Sequence, residues 1–455
     1  MKLETALMIL NKHLDSEMTR MPGIKGIPYD SNDIKIFKPN TEVKIYSTAQ
    51  RTSAYEAVQY RPSLGTLNIV IRDGQNYFIR EYGKKLAEIF DKNVRGYKGY
   101  NILVSPESKT IKWQLLKEMA EAFSLEMISE EEVKTFIEII EQRTHVGFSS
   151  SEQSTRVYTT LFVLDVFQKL QIADSNELLI RLWKGDYDPP EALIEITEGW
   201  MLVEARRYYQ VSIEAILSSF CKYISSFKSS IGDFDEFSND VIKRFAKFKY
   251  AQSKKAQFSD IIVKNKTLKD FINKLIELCD SHAIDEITLA GRINKLKGEK
   301  KAFNYEMAHY AIILLLTLYC RFPDLKKLKS NKAIEFWRYR QAGSVKHSFR
   351  LIDKLISQWC HLPVSTGIKK IIQELSLKLH LGVSQEKWLQ TGNFTFRYIR
   401  AEPTGFKLLT SMEPGMTNNK ILAYIELITG LGFLKKKGSF YKLSDDGKNF
   451  LKKYL

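Results

Sequence analysis

The sequence predicts a mainly α-helical protein: a compact multi-helix body with small β-hairpins, winged-helix-like in pattern, near both ends. Three observations predict it. Apolar residues recur at helical spacing through most of the middle of the chain. Two short β-rich runs fold back on Asp-Gly and Gly-Ser turns, one towards each terminus. No low-complexity or Gly-Pro-rich linker separates the parts. With 455 residues, 44% of them apolar and 12% aromatic, the chain can bury a large core and is not a disordered sequence.

In chain order, residues 1–14 place Leu3, Leu7, Leu10 and Leu14 on one helical face. Residues 21–50 lose that period and are punctuated by Pro22, Gly23, Gly26 and Pro28. At about 55–90 the first hairpin unit appears: Ile69-Val70-Ile71, a turn at Asp73-Gly74, Tyr77-Phe78-Ile79, then a helical stretch Gly83–Phe90. Residues 101–390 read as a helical body, with helices expected at Ile111–Leu125, Glu130–Arg143, Thr155–Leu170 and Asn176–Trp183. Glu191–Ser226 fits one very long helix or two joined near Gly199. Further stretches run from Phe234 to Lys249, Leu268 to Cys279, Phe303 to Phe322, Val345 to Cys360 and Thr366 to Leu381. Residues 391–455 open with an alternating run, Asn393–Arg400, expected as a strand turning at Glu402–Gly405. A helix over Thr417–Ile428, a hairpin turning at Gly438-Ser439 and a terminal helix follow. The organisation is thus 1–100, 101–390 and 391–455.

The two hairpin units share a grammar: L-G-x-L, hairpin, aromatic strand, G-K, helix. Leu64-Gly65-Thr66-Leu67 is matched to Leu431-Gly432-Phe433-Leu434, and Gly83-Lys84 to Gly447-Lys448.

The net charge of +16 is unevenly placed. Residues 101–200 hold 9 basic and 18 acidic side chains, whereas residues 321–455 hold 25 basic and 10 acidic. A concentrated excess reads as an electrostatic footprint for a polyanion. The four cysteines, Cys221, Cys279, Cys320 and Cys360, lie far apart in helix-like stretches, which suits a reducing cytoplasm better than a disulfide or zinc framework. Glu4 interrupts the apolar start, so a signal peptide is not expected, and the run Met307–Tyr319 is too short for a bilayer span of about 20 residues. No membrane association is expected.

The strongest chemical signal is the C-terminal unit. The start of its first helix offers Thr417, Asn418, Asn419 and Lys420, and the wing-like hairpin carries Lys435, Lys436, Lys437 and Lys442, with Lys448 beyond it. Asn side chains suit base or phosphate contacts, and lysines on a turn suit phosphates. A second basic patch interleaves Arg338 and Arg340 with Tyr339 and continues to Arg350, a pattern that suits stacking plus phosphate contact. Arg340 and His347 are also the only candidates for a catalytic pair. Their spacing is similar to the R-x4–6-H element of helical ribonucleases of the HEPN superfamily, although Gly343 falls between them. The remaining histidines stand alone in the sequence. No phosphate-loop, dinucleotide-binding, nucleophile-elbow or C-x-x-C pattern is present, and neither a metal nor a cofactor is expected.

The stretch His380–Tyr398, with Lys387-Trp388-Leu389 and Thr395-Phe396-Arg397-Tyr398, resembles, together with the terminal wing, the winged-helix-containing, non-catalytic subunits of prokaryotic multi-protein DNA systems, anti-phage defence systems among them. The resemblance implies a non-enzymatic DNA-binding subunit whose partners are duplex DNA and other protein subunits. Two other functions fit the same residues: a scaffold whose winged helices bind partner subunits, and the HEPN-like ribonuclease.

Overall fold

The helical period of the sequence becomes helices, and these divide into two units. The first comprises Met1–Thr160, Glu426–Lys435 and Ser444–Phe450; the second comprises Leu161–Ile425, Lys436–Leu443 and Leu451–Leu455. The structure is a computed structural model that describes residues 2–14, 31–45, 67, 69–73, 76–124, 128–141, 155–248, 258–281, 283–297, 303–321, 328–330, 349–415 and 419–455. In the first unit Ile111, Trp113, Leu116 and Phe123 enter the same apolar core as Ile9, Leu10 and Val94.

The first unit runs through α1 (Lys2–His13), α2 (Ser31–Lys35), β1 (Glu42–Lys44), the hairpin β2 (Val70–Asp73) and β3 (Asn76–Ile79) with its helix α3 (Glu81–Val94), α4 (Lys98–Val104), β4 (Thr110–Lys112), α5 (Trp113–Lys117) and α6 (Glu130–Glu141); α1, α2, β1, α3, α4, β4 and α5 supply side chains to that core. Trp113 takes edge contacts from His13 at 5.0 Å and Phe37 at 5.4 Å. The helix expected over 111–125 is mostly absent. Its first residues form β4, antiparallel to β1 with Val43 opposite Ile111, and the helix proper ends at Lys117. Burial alternates along β4, so its single inward side chain, Ile111, serves a strand as well as a helix, and a distant partner strand decides the outcome. At α6, Ser129 and Glu132 form a reciprocal capping box, and three glutamates sit at the positive end of the helix dipole.

The chain enters the second unit through α7 (Thr155–Lys169). There follow α8 (Ser175–Lys184), α9 (Ile194–Ser225), β5 (Ile231–Gly232), α10 (Phe234–Phe245), α11 (Ser259–Val263), α12 (Leu268–Asp280), α13 (Glu286–Lys297), α14 (Glu306–Arg321), α15 (Phe349–Trp359) and α16 (Val364–Lys370). A π-helix over Ile371–Lys378 leads directly into α17 (Leu379–Thr391), and β6 (Ile399–Glu402) and β7 (Gly405–Leu408) complete a sheet of order β5-β7-β6. The strand expected from Asn393 begins only at Ile399. Among the described residues no helix is long and apolar enough to cross a membrane.

Helix α9 resolves the choice at Gly199: it is one helix of 32 residues. It is buried on almost every side and packs along α14, which is apolar nearly all round, while α9 carries charged side chains among its buried positions. Its polar groups are used internally. Glu204 pairs with Arg207, Glu198 accepts from the backbone of Lys329 (2.7 Å) and Ser330 (2.8 Å), and the Ser218 hydroxyl donates to the Met412 carbonyl at 2.7 Å. A second buried pair, Glu286 with Arg321 at 2.7 Å, ties α13 to α14.

The chain ends in α18 (Lys420–Gly430), the hairpin β8 (Leu434–Lys437) and β9 (Phe440–Leu443), and α19 (Asp445–Tyr454). This hairpin and helix match the N-terminal set residue for residue. Both hairpins have four-residue strands separated by two residues. The Arg80 amide donates to the Ile69 carbonyl (2.8 Å), as the Ser444 amide does to Phe433 (3.0 Å). Gly83 and Gly447 are each the third residue of the following helix. A Cβ there would collide with the same carbonyls, Ile69 and Phe433. This register corrects one part of the sequence match: Leu67, Ile69 and Val70, not Leu64 to Leu67, correspond to Leu431, Phe433 and Leu434.

Gly447→Ala and Gly83→Ala are each expected to cost about 1–3 kcal/mol, because backbone must move to admit the methyl group. Gly199→Ala meets nothing within 4 Å and is expected to stabilise by about 0.5–1 kcal/mol. Urea unfolding followed by circular dichroism measures all three.

His309, in the first turn of α14, supplies a pH dependence. Its Nε2–H donates to the Val241 carbonyl at 2.9 Å and its ring lies against Phe245 and Phe248. Burial, with a smaller contribution from the Arg244 charge, pushes its pKa from 6.5 down to about 4. The unfolded chain therefore takes up a proton that the folded chain refuses. The stabilisation is complete above about pH 6.5 and is lost as pH falls towards about 4. The thermal midpoint is expected to fall between pH 7 and pH 5, and His309→Phe is expected to flatten that slope.

Candidate nucleic-acid interface

The C-terminal lysines are set by a short hairpin whose turn is chemically specified. Gly438 has φ of +64° at the first central position, where a two-residue II′ turn wants glycine, and Ser439 follows it. A two-residue turn fixes the register, so Lys437 faces Phe440 and Lys435 faces Lys442 across β8 and β9, as Asp73 faces Asn76 and Ile71 faces Phe78 in the first hairpin. Side chains alternate along a strand. Lys435, Lys437, Phe440 and Lys442 therefore share one face, and all four are exposed. Leu434, Lys436, Tyr441 and Leu443 share the other.

That second face is anchored. The Tyr441 ring lies 5.5 Å from Phe167, and its amide donates to the Ile172 carbonyl at 3.3 Å. Lys436 thus belongs to the packed side even though its own side chain is exposed. Lys448 pairs with Asp445 at 2.9 Å. The Asp445 carboxyl is held below its ordinary range by the Lys448 hydrogen bond and charge, and more weakly by Lys435.

The helix-start residues behave differently. Asn419 caps α18, its Oδ1 accepting from the Leu422 amide at 3.0 Å while its Nδ2 donates to Ser175 Oγ at 3.1 Å. The Lys420 amide donates to Glu204 at 3.3 Å, and Tyr424 packs near Trp200. The start of α18 is fastened to α8 and α9, while the Lys420 residue itself remains exposed. Thr417, Asn418, Arg338, Arg340 and His347 lie outside the described residues, and of Arg350 only its place as second residue of α15 is described. Sequence reasoning overlooked Phe440. Period-two alternation through K-K-K-G-S-F-Y-K already places it with Lys435, Lys437 and Lys442.

The second unit also holds a pocket of about 600 Å³ between α9, the π-helix and the segment around Met412, lined among others by Arg206, Tyr209, Glu214, His380 and Tyr398. Burial, and then the Lys387 charge, lowers the His380 pKa to about 4, so its ring is neutral at pH 7. Glu214 is occupied by Gln210 (2.8 Å) and the Gly415 amide (2.7 Å). Burial pushes the thiols of Cys221 and Cys279 up to about 12, which keeps both protonated and unreactive at pH 7. Among the described residues no group of three or more His, Cys, Asp or Glu side chains is placed to hold a metal ion.

No known protein family, curated protein or solved structure matches this chain.

Asn419→Ala is expected to destabilise the protein by about 1 kcal/mol through loss of the cap, and Asn419→Ser to recover most of that. Urea melts of the two variants, read by circular dichroism, check this.

Proposed function

We propose that this chain is a non-enzymatic DNA-binding subunit of a larger prokaryotic assembly, such as an anti-phage defence system, in which β8–β9 acts as the wing of a winged-helix-like module on duplex phosphates. The observation that carries this reading is the exposed face of Lys435, Lys437 and Lys442 on a hairpin whose other face is packed. Such lysines are point charges that hold a phosphate backbone and register the protein on it. The excess of basic residues over 321–455 adds a longer-range attraction to the same region.

The scaffold reading is favoured by one separate observation. In the N-terminal hairpin, Ile71 and Phe78 occupy the positions that Lys435 and Lys442 occupy in the C-terminal one, and both are exposed, at 41% and 52%. An apolar cross-strand pair on that hairpin suits a protein partner and not a phosphate backbone. The two hairpins divide the work: the C-terminal one meets DNA and the N-terminal one meets another subunit.

Replacing Lys435, Lys437 and Lys442 together by Ala is expected to flatten the slope of log affinity against log salt by about 2–3 units on duplex DNA, since each neutralised phosphate adds roughly 0.9 to that slope. Lys436→Ala alone is expected to change it by less than about 1 unit. Fluorescence anisotropy over a salt series measures both, with circular dichroism confirming folding. An unchanged slope in the folded triple variant would remove the hairpin from the DNA site.

A further inference from the structure

The last turns of α17 and the segment that follows stand out from the second unit. Every residue from Gln385 to Phe394 is exposed. Among them Trp388 is 45%, Leu389 77% and Phe394 59% accessible. Large apolar side chains in this number on one protruding helix end are not explained by the fold they leave.

The local geometry holds these rings without burying them. Gly392, at φ +68°, ends the helix, and its amide returns to the Trp388 carbonyl at 2.8 Å. Thr395 then hydrogen-bonds to the Ser384 carbonyl, pinning the returning segment against α17. Phe396 consequently lies 6.1 Å from Trp388 at 71° and 5.5 Å from Phe394 at 41°. An edge contact covers one face of one ring and a tilted contact covers a face in part, whereas parallel stacking would have closed a face of both rings.

The charges beside the rings are two exposed cations and one carboxylate. Lys387 adjoins Trp388 and is exposed, and Arg397 follows Phe396, with its guanidinium 5.3 Å from the Tyr398 ring. Of the neighbouring carboxylates, Glu374 and Glu402 are paired with Lys378 and Arg400, whereas Glu386, which accepts from the neutral Gln390, carries a negative charge beside Lys387. Open aromatic faces flanked by exposed cations complement a polyanion that carries flat, unpaired rings.

We infer that Trp388, Phe394 and Phe396, flanked by Lys387 and Arg397, form a stacking platform for the unpaired bases of single-stranded nucleic acid. The inference rests on the nucleic-acid reading above and extends it from duplex to unpaired strand. Base–aromatic stacking tolerates any sequence, because every base offers a π face, while the cations follow the backbone.

The test uses the full-length protein and fluorescence anisotropy with a labelled single-stranded DNA 20-mer and the corresponding blunt duplex. Trp388→Ala/Phe394→Ala should weaken binding of the single strand roughly ten- to a hundredfold and change duplex binding less than about twofold. Trp388→Phe, which keeps a stacking ring, should retain most of the single-strand affinity. Both side chains are exposed, so folding should be unaffected, and circular dichroism verifies it. Equal single-strand affinity in wild type and the folded double variant overturns the inference. So does a wild type that binds duplex but not single strand, an outcome that leaves the hairpin proposal standing. Single-strand binding lost in the double variant, with no duplex binding by the wild type, supports the platform and rejects the duplex wing. Binding to phosphatidylserine-containing vesicles without binding to the single strand also overturns it, assigning the patch to a lipid surface.

Discussion

The constraint on which the second unit depends is the burial of α9. A 32-residue helix wrapped on almost all sides must place its polar side chains where each finds a partner, because an unpaired buried carboxylate costs several kcal/mol. Glu198, Glu204 and Ser218 meet that requirement by reaching backbone or side-chain groups that include segments far along the chain, at Ser330, Lys420 and Met412. The polar positions of α9 therefore act as attachment points. They fix where Lys329 and Ser330, Met412 and the first residue of α18 lie. The start of α18 is held by Glu204, itself paired with Arg207, so a buried charge pair within α9 locates the first residue of that helix.

A second theme is reuse of one backbone plan with different surfaces. The two hairpin–helix sets share the amide-to-carbonyl bond before the helix and the glycine pressed against that carbonyl. Those features are internal and chemically strict, since only glycine fits. The outward positions are under no such restriction. Ile71 and Phe78 at one end correspond to Lys435 and Lys442 at the other. Keeping the frame while changing the face gives two copies of a small motif surfaces of opposite character.

The π-helix is the structural oddity of the second unit. Each wide turn takes in more residues than an α turn and shifts the phase of the side chains beyond it. Its buried face, with Ile371, Ile372, Leu375 and Leu377, stays against the core, and the Ser376 hydroxyl is fastened to the Ile213 carbonyl at 3.1 Å. Beyond it α17 departs from the core and carries Trp388 outwards.

The sequence by itself determined many of the long helices and both hairpins. Helical period and turn residues are local properties, readable wherever a stretch supplies its own pattern, as at Thr155–Lys169, Leu268–Asp280 and Gly438-Ser439. The pairing of Gly83 with Gly447 was legible for the same reason, and so was the alternation that groups Lys435, Lys437 and Lys442. The tertiary structure decided what depends on residues distant in the chain. Ile111 is a strand residue because β1 is there to pair with it. Asn419 is a cap whose amide is spoken for because Ser175 lies beside it. The Asn393–Arg400 alternation yields a strand only from Ile399, where β7, itself paired with β5, takes it into a sheet. Nothing in the local pattern of the sequence says whether Trp388 and Phe394 are buried. Their exposure follows from the absence of packing over residues 385–394, and burial is set by what the rest of the chain brings near, which no local pattern records.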